Sequence, residues 1–169
     1  SYNACLANQP SCHMNEILLA DLSNPSHARA VVYLLNEYAK DDMGGGEELS
    51  EQVKLNLISE LAKRPGIHAV LALVDQQPAG LAICIEGFST FACKPLLNIH
   101  DLAVVPDFRG QGLARKLLAR VEALARELGC CKLTLEVLEG NQIAKAAYVS
   151  FGFAGYELGS ASGKAEFWQ

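Results

Sequence analysis

The sequence predicts a mixed α/β domain in which helices flank a sheet, and three observations carry that expectation. Apolar strand-like runs and segments with helical periodicity interleave in the order βααβββαβαββ, with no internal repeat, low-complexity tract or linker among them. Two apolar, β-branched runs at residues 67–74 and 79–85 stand either side of Asp75-Gln76-Gln77-Pro78, the pattern of an antiparallel hairpin. A glycine-punctuated loop at residues 109–112 opens a helix whose apolar residues share one face.

The chain has 169 residues, half of them apolar, which is enough for one sizeable core, and residues 14–169 read as a single domain. No apolar run approaches the roughly 18 residues of a membrane span, so no membrane partner is expected. A formal charge of −5 lacks the basic face that phosphate contacts require, which argues against nucleic acid. Cys5, Cys12, Cys84, Cys93, Cys130 and Cys131 show neither metal-ligand spacing nor a CxxC pattern. No metal site is expected, and the cysteines read as buried reduced thiols of a cytoplasmic protein. Residues 1–13 lack the basic and apolar regions of a secretory signal and are expected to be a disordered leader or extension before Met14.

In chain order, residues 16–22 predict a short strand, and Ser23-Asn24-Pro25 offers a cap followed by proline, which starts a helix. Ala28, Val31, Val32, Leu34, Leu35 and Tyr38 form its apolar face, and Gly44-Gly45-Gly46 end it. A second amphipathic helix over residues 49–62 carries Val53, Leu57, Ile58 and Leu61 and closes at Pro65-Gly66. The hairpin follows, and residues 87–95 read as irregular. The strand at 96–105 holds polar Asn98, His100 and Asp101 inside an apolar run and stops at Pro106. Leu113, Leu117, Leu118, Val121, Leu124 and Leu128 give the next helix, 112–128, one face, with Gly129 beyond its end. A strand at 132–138, a short helix at 141–150 and a terminal hairpin of Phe153–Leu158 with Ala165–Trp168 complete the order.

Arg109-Gly110-Gln111-Gly112-Leu113-Ala114 lies between a strand and a helix. Glycines there let the backbone curl so that successive N–H groups aim at one anion, and the helix macrodipole adds roughly half a positive charge. Arg109 and Arg115 are placed to add full charges. A P-loop would need GxxxxGK before Ser or Thr, and none is present. A dinucleotide fingerprint would need a third glycine where Arg115 stands.

These residues resemble the GCN5-related N-acetyltransferase (GNAT) family, whose signature is an Arg/Gln-x-x-Gly-x-Gly/Ala loop reached through V-x-P. Val104-Val105-Pro106 and then Arg109 to Ala114 match it. A second family block is filled by Asn141, Ala144, Tyr148, Gly152 and Phe153. The resemblance implies a GNAT-like acyl-CoA N-acyltransferase fold: a mostly antiparallel sheet in which strands at about 96–105 and 132–138 run parallel and splay apart. It further implies acetyl-CoA as co-substrate, with its pantetheine arm in the gap. Backbone contacts to that arm fall at Leu102, Ala103 and Val104, the pyrophosphate falls on residues 109–115, and Asn141 and Ala144 contribute from the second block. Terminal strands such as Ala165–Trp168 often meet a partner in this family, which leaves room for a homodimer.

A thioester is already activated, so three tasks remain for the protein. An amine of pKa about 10 must lose a proton. The developing oxyanion wants a backbone N–H, which the strand at Leu102 to Val104 can supply. The departing thiolate, of pKa about 8.5, gains from a proton donor, and the family block assigns that task to the Tyr148 hydroxyl. Three residues compete as base. Glu136 has a spacing to Asn141 and Tyr148 similar to that in family members that acetylate ribosomal-protein N-termini. His100 stands where the similar diamine acetyltransferases carry a glutamate, and an imidazole there is a side chain suited to act as a base. Asp101 ranks behind both, because neighbours on a regular strand face opposite sides unless a bulge intervenes.

The acceptor is expected beside the first two helices, where Glu37, Asp41, Asp42, Glu47 and Glu48 suit a cationic amine. The expected activity is acetyl transfer to a small-molecule or peptide amine in a ternary complex. A CoA-binding sensor without turnover is the alternative of a different class. A covalent acetyl-cysteine route is disfavoured because no cysteine belongs to either matching block.

Overall fold

The computed structural model describes residues 14–155. The expected leader at 1–13 and most of the expected terminal hairpin lie outside these residues. Strand β1 (Asn15–Leu19) leads to helix α1 (Pro25–Lys40), where Asn24 caps the first turn by accepting from the Ser26 N–H and Pro25 fills the first position. Helix α2 (Glu51–Ala62) begins at Ser50, whose hydroxyl accepts from the Val53 N–H. Strands β2 (Ile67–Val74), β3 (Gln77–Ser89) and β4 (Lys94–Val104) come next. A single helical turn at Pro106–Phe108, helix α3 (Leu113–Glu127), strand β5 (Leu133–Leu135) and helix α4 (Gln142–Phe151) complete the described chain.

The five strands lie in sequence order, antiparallel except for the parallel pair β4 and β5. Central β2 and β3 are covered on both faces, which is why their sequences are continuously apolar rather than alternating. One core packs Leu113, Leu117, Leu118, Val121 and Leu124 of α3 against Val70, Ala82, Cys84, Leu97 and Ile99. The other packs Val31 and Leu34 of α1 against Leu71, Leu81 and Ile83. Phe108, just past the end of β4, packs against both. No helix among the described residues is long and apolar enough to cross a membrane.

Several expectations change. Residues 87–89 are not irregular: β3 runs on to Ser89 and pairs Gly87 with Leu96, Phe88 with Pro95 and Ser89 with Lys94. The hairpin turn is shorter than Asp75–Pro78, because Asp75 and Gln76 alone make it, both at positive φ, and Pro78 enters the strand beside a register irregularity. Strand β5 covers only Leu133–Leu135 of the expected 132–138, and Phe153 to Gly155 join no strand. Among the described cysteines Cys84 alone is buried, its thiol pushed up to about 12 by desolvation, while Cys93 and Cys131 are exposed.

Leu117 is fully buried where α3 meets the sheet, and Gly80 beneath it leaves room for the helix, since a Cβ there would sit 3.1 Å from Leu117 Cδ1. Leu117→Ala leaves a cavity that neighbouring backbone cannot close, and should cost about 2–5 kcal/mol, read as a lowered urea midpoint at unchanged slope.

Candidate active site

The loop between β4 and α3 is built as an anion cradle. Gly110 and Gly112 sit at φ 76° and 74°, left-handed conformations that turn successive N–H groups to one side. No side chain caps α3, and the first bond from this end runs from the Lys116 N–H to the Gly112 carbonyl. The preceding N–H groups of Leu113, Ala114 and Arg115 therefore face outward, with the positive end of the helix behind them. A Cβ at Gly110 or Gly112 would meet nothing within 4 Å, so the cradle opens to solvent. Gln111 is exposed between them.

Beside the cradle β4 loses its outer neighbour. Pairing with β5 runs from Leu97 and Leu133 to Ile99 and Leu135 and stops there. On its other side β4 pairs Cys84 with Ile99 and Ile83 with Asp101, so His100 is the extra residue of a β-bulge. From His100 to Val104, including Leu102 and Ala103, the outer edge of β4 has no strand beside it. An extended edge with free amides next to an N–H cradle suits a ligand that joins an amide-bearing arm to a pyrophosphate, and these residues therefore fit acetyl-CoA.

The bulge also decides which polar residues share a face. Asn98 is level with Ile85, and Asp101 with Ile83, on the side that α1 covers. Without the extra residue Asp101 would point to the α3 side; with it, Asp101 is half-buried beside α1 and His100 is exposed. Burial pushes the Asp101 carboxyl up, with His100 pulling the other way. Tyr38 of α1 is nearby, its phenol pushed up by burial and then by the charges of Asp101 and Asp41. Glu136 lies just past the end of β5, exposed, and accepts from Asn98 Nδ2 at 3.3 Å, while the same amide donates to Thr134 Oγ1 at 3.0 Å.

Tyr148 comes from the other face. Helix α4 packs against α3, starts at Asn141, whose Oδ1 accepts from the Ala144 N–H at 3.1 Å, and ends at Gly152. Phe153 then folds back, donating its N–H to the Tyr148 carbonyl and setting its ring edge-on to Tyr148 at 5.9 Å. Burial, then the neighbouring Tyr38, pushes the Tyr148 phenol above its ordinary value. Tyr38 and Tyr148 sit on helices at opposite faces of the sheet, yet the Tyr148 phenol feels Tyr38.

The two arginines behave differently from a simple phosphate pair. Arg109 Nε donates to the Val104 carbonyl at 2.9 Å and its NH2 group donates to Asp41 Oδ2 at 2.7 Å. The Arg115 guanidinium lies over the Phe151 ring, 5.8 Å from its centroid.

The model of the acetyltransferase (GNAT) family matches residues 30–153, which includes the cradle, the opening and α4. The chain belongs to the GNAT family. It is an N-acetyltransferase that uses acetyl-CoA. A thialysine N-epsilon-acetyltransferase of Caenorhabditis elegans is 30% identical over 124 residues, covering 73% of this chain and 75% of that one. An aminoglycoside N(6')-acetyltransferase type 1 of Acinetobacter genomosp. 13 is 32% identical over 107 residues, 61% of this chain and 73% of that one. Among solved structures, an aminoglycoside N-acetyltransferase in complex with CoA superposes with a TM-score of 0.72 at 18% identity, covering 95% of this chain and 97% of that one. A ribosomal-protein-alanine N-acetyltransferase of Brucella melitensis superposes with a TM-score of 0.65 at 19% identity, over 86% of this chain and 98% of that one. At such identities these structures bear on the GNAT fold alone.

Of the sequence-predicted site residues, Gly110 to Ala114 come together in the cradle at the end of β4, while Glu136 follows β5 and Tyr148 is carried on α4. His100 is turned outward, while Asp101 and Tyr38 move inward. Tyr38 had been read only as apolar face. Its signal is the spacing Val31, Leu34, Tyr38, Asp41, a stripe that starts buried in α1 and ends in half-buried polar atoms at its cap. A β-branched residue at the Gly112 φ carries strain of about 1–3 kcal/mol. Gly112→Val is therefore expected to weaken CoA binding in calorimetry about tenfold, with the far-UV spectrum unchanged.

Proposed function

We propose that the chain moves an acetyl group directly to the primary amine of a small cationic acceptor within a ternary complex, with Glu136 taking the amine proton and Tyr148 serving as acid. The observation that carries this reading is that Tyr38 of α1 feels the charge of Asp101 on β4 and Tyr148 of α4 feels Tyr38, beside the strand edge that is left unpaired from the His100 bulge onward. When bound, acetyl-CoA supplies an activated thioester. Backbone N–H groups at 110–115 would hold its pyrophosphate, and the outer edge of β4 at Leu102 to Val104 would hold its arm. Asn141 spends Oδ1 on its own helix, which leaves the side-chain NH2 as the group to meet that arm.

The remaining steps belong to the protein's side chains. Asp101, half-buried beside Tyr38, sits where desolvation makes a lone carboxylate costly, and a cationic partner relieves that cost. It orients the ammonium. Glu136, open to water and steadied by Asn98, accepts the proton that the amine must shed and passes it to solvent. Tyr148 holds its proton at neutral pH as any phenol does, burial holds it more firmly still, and its hydroxyl can deliver that proton to the departing sulfur. The names of the relatives point the same way, since thialysine and aminoglycosides both offer cationic amines.

Tyr148→Phe should lower kcat about 10²-fold while CoA affinity in calorimetry stays within error. Because the shift is upward, any alkaline loss of kcat due to this phenol should fall above the ordinary tyrosine range. An unaltered kcat in the Phe variant would remove Tyr148 from the reaction. Glu136→Gln should reduce kcat/KM by about 10²-fold and abolish the acid limb of the pH–rate profile. A limb that survives in this variant but vanishes in His100→Ala would transfer the base to His100.

A further inference from the structure

The Arg109 side chain spans two elements instead of standing free at the cradle. Its Nε end is pinned to the Val104 carbonyl, the last residue of β4, and its NH2 group reaches Asp41, the cap residue of α1. Asp41 is the hub of the loop that follows. Its Oδ1 accepts from the Met43 N–H at 3.0 Å, and its carbonyl accepts from the Gly44 and Gly46 N–H groups at 2.8 and 3.1 Å. The loop is closed tightly enough that a Cβ at Gly44 would lie 1.9 Å from the Tyr38 carbonyl oxygen. The Met43 N–H and then the Arg109 guanidinium hold the Asp41 carboxyl below the usual carboxylate range, so the pair persists at neutral pH.

The other acidic groups of this region are engaged differently. Glu37 pairs with Lys40, and Glu48 pairs with Lys54. Among the described residues Asp42 and Glu47 make no ion pair, and both ride on the segment that Asp41 organises. That segment borders Tyr38, whose phenol feels both Asp41 and Asp101.

We propose that Arg109 and Asp41 form a brace that fixes the 41–48 loop against the end of β4, making Asp41 a positioning residue for the amine acceptor and Arg109 a strut rather than a phosphate ligand. The cradle then grips pyrophosphate through its backbone, and the geometry between cofactor loop and acceptor loop is carried by one guanidinium. The proposal rests on the acetyl-transfer reading only for its effect on acceptor kinetics; the brace itself is visible without turnover.

The test compares Asp41→Asn, which keeps the Oδ1 acceptor for Met43 but loses the charge, with Arg109→Gln and the double variant. Hydrogen exchange at the Gly44 and Gly46 amides should speed up about tenfold in each single variant and no further in the double. With a cationic amine such as thialysine, the acceptor KM should rise about tenfold with kcat and the acetyl-CoA KM little changed in Asp41→Asn, again without additivity. Arg109→Lys keeps the charge but cannot span both oxygens, and it should behave as the Gln variant. Additive effects, a wild-type Lys variant, or a loss of CoA affinity in Arg109→Gln with no change in Asp41→Asn would overturn the brace. Absence of turnover with every amine would count against the proposed reaction and leave the brace to the exchange data.

Discussion

Backbone pairing between β4 and β5 lasts for three residues on each strand, and the whole site depends on where it stops. A paired strand spends its amides on its neighbour; an unpaired one has to satisfy them elsewhere. The bulge at His100 lies immediately past the last paired residue, Ile99, and raises the local twist so that β4 turns away from β5. The resulting gap is lined by main-chain groups that cost free energy if left dry. A ligand bearing amides along its length can relieve that cost without any particular side chain being required. The glycine loop continues the same logic, offering main-chain N–H groups to an anion at the end of the strand.

Side-chain chemistry then accumulates around this main-chain frame from both faces. Asp101 and Tyr38 arrive from the α1 side and Tyr148 from the α4 side, each in a partly dehydrated setting in which charges act on one another more strongly than in water. Glu136 differs in standing open to solvent. That division suits a reaction in which one group must hold a cation and another must dispose of a proton.

Most of the fold was legible because it follows from local patterns. The caps at Asn24 and Ser50, the one-sided face of α3 and the apolar runs of β2 and β3 are each written in a few neighbouring residues. The cradle was legible for the same reason, since two glycines at that spacing serve a loop with positive φ. The bulge was not. A strand that reads Asn98-Ile99-His100-Asp101 gives no sign of which residue is extra, because that depends on its register with β3. A regular strand puts His100 and Asp101 on opposite sides, whereas the inserted residue turns Asp101 to the α1 side and leaves His100 exposed. The shortness of β5 escaped for a similar reason, being set by β4 far away in sequence, whereas the end of β3 pairs with Lys94 to Leu96 just across a turn that the apolar pattern does not mark. The partnership of Arg109 with Asp41, 68 residues apart, lies wholly beyond local pattern.

The sheet divides the apolar interior into two cores, and among the described residues Phe108 alone packs against both. Side chains under α3 support the helix that the cradle opens, and side chains under α1 support the face where the proposed amine acceptor would sit. Additivity is expected for sites that share no partners. Substitutions on the α1 face can therefore accumulate, reshaping the entrance for a new amine, without disturbing the packing that supports the cradle. Such a layout lets a lineage change its substrates while keeping its donor, with one aromatic ring shared between the two cores.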